Sequence, residues 1–131
     1  MTFLAAAVLL TATLFALATS VNSFLVPRQF AQRLGFAVSG ADGINEIRAQ
    51  YGGFFLAVAV SGASALSGVI TSQAGLIVLA TVFGGLIFGR LASLALDRDV
   101  KGYGATIRAL FIIDSIGLAA SLAALVAEAG Y

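Results

Sequence analysis

Apolar runs, each long enough to cross a bilayer, are separated by short polar connectors along this chain. The first run extends from Thr2 to about Leu25 and contains no charged residue. From Ala49 to Gly89 there is again no charge. That stretch is roughly twice the ~20 apolar residues one spanning helix needs. A break therefore falls inside it, and Ser67-Gly68 with Thr71-Ser72-Gln73 marks the turn. The next run ends near Leu96, where Asp97-Arg98-Asp99-Val100-Lys101-Gly102 forms a charged connector. The last run extends from about Gly104 to Ala127. The pattern predicts an all-α, integral membrane four-helix transmembrane bundle. It forms one domain over residues 1–131, with spans at about 2–25, 51–70, 74–96 and 104–127.

The one long connector covers residues 27–45. Pro27 suits the first turn of a short helix. Such a helix would set Phe30, Leu34 and Phe36 into the interface while Arg28 and Arg33 face headgroups. An ordered loop with a single helical turn is the alternative. Gly40-Ala41-Asp42-Gly43 reads as a turn, with Asp42 or Asn45 capping the next helix. The first run also has a rival reading as a cleaved signal, because Ala16-Leu17-Ala18 resembles a small-residue cleavage site. No basic residue precedes it, which favours a retained span.

Composition supports lipid as the solvent. Hydrophobic residues make up 60% of the 131 and charged residues 10%. An average soluble protein has roughly 45–50% and about 25%. The chain has no Cys and no His, which disfavours thiolate, zinc and haem chemistry. No cofactor and no metal site is expected. A net charge of +1 without a basic stripe gives no case for nucleic acid. Tyr51, Tyr103 and Tyr131 stand in for the missing Trp as interface aromatics.

Charge does set an expected topology. All seven Lys and Arg residues flank the first and third connectors. The positive-inside rule then puts both connectors in the cytoplasm and both termini outside. In a bacterial cell, helical spans would imply the inner membrane.

Two ionisable residues lie well inside spans. Arg90 is about 10 Å from the third connector and Asp114 about 15 Å, at 1.5 Å per residue. Charges at such depth face the bundle interior and pair. An Arg90–Asp114 pair between adjacent antiparallel helices is expected. Glu46, Arg48 and Tyr51 enter from the same side, so the five residues form one candidate buried polar cluster. The pair is either a register device or part of a functional site. Glu46 is either a favourable acid at a helix N-terminus or a member of the cluster. Glu128 is expected at the opposite headgroup boundary. Small residues recur at packing intervals: Gly52, Gly53, Gly85, Gly89 and Gly117. Internal packing is the expected use, with intermolecular contact the alternative.

Two motifs point to a family. Glu46-Ile47-Arg48-Ala49-Gln50-Tyr51-Gly52-Gly53 resembles the E-x-R-A-x-Y-G-G signature of the bacterial DUF4345 family. The Gly-rich stretch from Phe83 to Ser93, carrying Gly89-Arg90-Leu91-Ala92-Ser93, resembles its second signature, and Asp97 fits as well. The family often has Glu where this chain has Asp114. The resemblance implies a small four-helix membrane protein of undefined activity, and it gives weight to Glu46, Arg48, Tyr51, Arg90 and Asp114 as a set.

Three functional classes remain. The leading expectation is a membrane protein without catalytic residues, serving as an accessory or structural subunit of a larger complex or as a homo-oligomer. The alternative binds or transports a small amphiphile or ion through the polar cluster. An intramembrane enzyme using Glu46 and Asp114 as acid and base comes last.

Overall fold

A computed structural model describes residues 1–97 and 103–130. Most of the charged connector after Asp97 lies outside the described residues. Among the described residues the chain is all-α, with five helices: α1 (Phe3–Leu25), α2 (Pro27–Arg33), α3 (Gly40–Leu66), α4 (Ser72–Asp97) and α5 (Ala105–Glu128). All but α2 are long and apolar enough to cross a membrane.

Local chemistry sets the helix ends. The Thr2 hydroxyl accepts from the Ala5 amide at 3.2 Å and the Thr71 hydroxyl from the Ala74 amide at 3.1 Å, capping α1 and α4. Pro27 opens α2, where its missing N–H costs nothing. Gly35 closes α2 at φ +85°, and the Phe36 amide reaches back to the Ala31 carbonyl at 2.9 Å. Gly68 ends α3 in the same way at φ +79°, with the Val69 amide on the Ser64 carbonyl. The turn expected around Ser67-Gly68 is therefore present.

The second span departs from expectation at its start. The helix begins at Gly40, not near Tyr51, and the string Gly40–Gly43 is its first turn. Neither Asp42 nor Asn45 caps it; Ser39 occupies the cap position. Val38 folds against Gly43, 2.8 Å from where a Cβ would stand. At 27 residues, α3 is about 40 Å long, some 10 Å more than a hydrocarbon core. That is long enough for its polar first turns to extend beyond the hydrocarbon core.

Residues Arg48–Gly53 of α3 form a π-helical turn. The extra residue rotates the later part of the helix by about 100° relative to the earlier part. Ile47 and Gly52, five apart, are both buried as a result. Beyond the π-turn the buried positions resume α spacing at Val58, Gly62 and Ala65.

The four long helices pack in a ring, α1 against α3, α3 against α4, α4 against α5 and α5 against α1. The first and third of these contacts are the most extensive. Ala5, Leu9, Ala65, Leu76 and Ala124 make a dense core at the end holding the termini. Glu128 closes that end, accepting from the Thr2 amide of the α1 cap and from the Ser72 hydroxyl at the start of α4. The outer surface is apolar: Phe88 is 74% and Ile116 63% exposed, which suits lipid contact.

Candidate functional site

Toward the long connector the helices separate around a cavity of about 240 Å³. Its deeper walls are apolar and include Ala12, Val58, Leu79 and Phe83. Near the connector end, Phe30 of α2 and the adjoining Leu34 and Phe36 lie across it. Tyr51, Arg90 and Asp114 supply its charged and phenolic groups, and Thr19 adds a hydroxyl already donating to the Phe15 carbonyl at 2.9 Å.

Each polar group is held by its helix. Arg90 on α4 donates from Nε to Asp114 Oδ2 on α5 at 2.7 Å. The Asp114 side chain is 5% exposed and that of Arg90 19%. The pair expected from depth and charge is therefore present. One face of the guanidinium rests on Phe111, 5.4 Å from the ring centroid. Tyr103 packs near the same ring at 6.3 Å, and its hydroxyl pairs with Ser93 at 3.0 Å. Nearby, Tyr51 lies between Phe30 and Phe55, with ring centroids 5.2 and 6.4 Å away.

The π-turn presents Tyr51. Its opened backbone leaves the Gly52 carbonyl to accept from the buried Ser20 hydroxyl of α1 at 2.9 Å. Gly52 itself sits against the Phe24 ring, 2.8 Å from where a Cβ would stand. This bond and this contact fix α3 on α1 at the level of the cavity.

Two members of the expected cluster lie elsewhere. Glu46 and Arg48 are exposed, and neither lines the cavity. Ile47 takes the inward direction of α3, so its two neighbours point away. Arg48 instead donates from Nε to the Phe24 carbonyl in the last turn of α1, at 3.2 Å. The five-residue cluster is corrected to Tyr51, Arg90 and Asp114.

The packing expectation divides in the same way. Gly117 meets the Phe83 ring at 2.6 Å from an ideal Cβ, and Gly52 the Phe24 ring. Gly53, by contrast, faces only its own helix, and Gly85 and Gly89 meet nothing within 4 Å. These three are not internal packing positions. Gly75, which the spacing did not single out, is one: its Cβ would stand 2.5 Å from that of Ala65. Phe30, Phe111 and Ser93 were also missed as members of the site. Only Ser93 had a signal, from its place in the second family signature.

The DUF4345 profile, described as a domain of unknown function, matches residues 4–113. No curated protein and no solved structure matches the chain.

Proposed function

The chain belongs to the DUF4345 family, and on that premise we propose that it is a non-catalytic membrane protein that binds a small amphiphile inside its bundle. The observation that carries this reading is the division of the cavity. Apolar walls fill the depth of the bundle, and Tyr51, Arg90 and Asp114 gather toward the connector end. An amphiphile matches that gradient, with its chain against Phe83 and Leu79 and its head beside Arg90. The volume is just under the roughly 300–1,000 Å³ of common ligand pockets. It suits a head and a short stretch of chain.

A non-catalytic role is supported by the separation of the two carboxylates that an acid–base mechanism would need. Glu46 is exposed, whereas Asp114 is buried against Arg90. The basic residues of the two connectors support a bacterial inner-membrane location with those connectors in the cytoplasm. The polar part of the cavity then belongs to the cytoplasmic leaflet.

A second reading, an accessory subunit of a larger complex, is favoured by one observation. Gly85 and Gly89 form an outward notch on α4 with no neighbour among the described residues. Native mass spectrometry after gentle extraction separates the two readings. Amphiphile binding predicts a reproducible small-molecule mass on the chain, and its loss when Ala12→Phe fills the cavity. A stoichiometric second protein, with no small-molecule mass in wild type, would overturn that reading in favour of the subunit.

A further inference from the structure

Resting on that binding reading, we infer that the occupant carries an uncharged head rich in hydrogen-bond acceptors, of the ketone, quinone or ester class. The argument starts from charge. Arg90 and Asp114 are the ionic side chains lining the cavity, and they sit in contact at 2.7 Å with opposite sign. Their formal charges sum to zero. An anionic head beside Arg90 would also lie beside Asp114, and a cationic head beside Asp114 would lie beside the guanidinium. Either would bring an uncompensated charge into a region walled by apolar side chains and lipid, where charge is costly.

Hydrogen-bonding capacity narrows the class further. A guanidinium has five N–H donors. Among the described residues, Arg90 makes the one hydrogen bond from Nε, and Phe111 covers one ring-facing side. Its Nη donors remain for an occupant. Tyr51 lines the same space, and its hydroxyl makes no hydrogen bond among the described residues. Asp114 Oδ1 is the one carboxylate oxygen not taken by Arg90. Donors therefore exceed acceptors, and carbonyl oxygens complement them. The Phe30, Tyr51 and Phe55 rings add an aromatic wall for the head to pack against.

The test uses the full chain in nanodiscs at neutral pH. Three radiolabelled probes of equal chain length are compared: a methyl ketone, a fatty-acid carboxylate and a primary alkylammonium. Wild type is expected to hold the ketone roughly tenfold or more tighter than either ionised probe. Asp114→Asn leaves Arg90 unmatched and should move the preference to the carboxylate. Arg90→Gln leaves Asp114 unmatched and should move it to the ammonium. The double variant restores neutrality and should return to the ketone, which keeps the comparison decisive if a single variant fails to fold. Wild type that prefers an ionised probe would overturn the assigned head and leave cavity binding standing. Wild type that retains none of the three, or an Ala12→Phe variant that retains them as well as wild type does, would overturn both.

Discussion

Arg90 and Asp114 bring opposite charges into one layer of the bundle, and each is costly there without the other. Removing one partner from such a buried pair costs roughly 3–5 kcal/mol, mostly because the remaining charge is stranded. Arg90→Gln or Asp114→Asn alone should therefore lower unfolding stability by about that much, and the double variant by clearly less than the sum. A double loss equal to the sum in a detergent unfolding series would mean the two side chains do not couple. The glycines give a second contrast. Gly75→Ala sets a Cβ 2.5 Å from that of Ala65, a backbone-anchored atom that has no rotamer to move into. A loss of about 1–3 kcal/mol is expected there. Gly85→Ala meets nothing within 4 Å and should be neutral or stabilising by up to about 1 kcal/mol. Equal losses at the two positions would show that Gly85 is also covered, by another chain.

At the scale of the element, α3 is where sequence and structure part most. Its first turns are polar enough to read as connector, yet they are helical and continuous with the apolar span. The π-turn within it aims Tyr51 and ties Gly52 to Ser20. Deleting the exposed Gln50 removes one residue of that turn. Everything before it should then swing by about 100° relative to Val58 and Gly62. The expected outcome is unchanged helical content by circular dichroism with loss of any bound amphiphile. Retained binding would mean that the π-turn is not what positions the cavity wall. The smaller helix α2 was legible in part. Pro27 marked its first turn, with a loop as the other reading, and Phe30, expected at the membrane interface, lines the cavity instead while Arg28 is exposed.

For the whole molecule, the two ends of the bundle are built differently. Alanines and Leu76 pack tightly near the termini, where Glu128 joins α1, α4 and α5. The other end holds larger side chains around an open volume. On the binding reading this asymmetry makes topology matter, because it decides in which leaflet the polar part of the cavity lies. The chain has no cysteine, so single cysteines report cleanly. Gln32→Cys and Gly104→Cys should resist an impermeant thiol reagent added to intact cells, and Val69→Cys should react. The reverse pattern would turn the bundle over and move the polar part of the cavity to the outer leaflet.

The number of spans, the lipid environment and the Arg90–Asp114 pair were legible in the sequence. Long apolar runs have few ways to satisfy their backbone in a bilayer, and opposite charges at matching depth have a strong reason to meet. Tertiary structure decided which small residues touch, which polar residues share a site, and that a cavity exists. Glu46 and Arg48 share a signature with Tyr51, but the direction each takes depends on one π-turn and on Ile47 pointing inward. Gly85 and Gly52 look alike in a local pattern, but only the ring of helices puts Phe24 against one and nothing against the other. Periodicity fixes a residue's angle on its own helix. What stands opposite that angle is set by how the helices pack around one another.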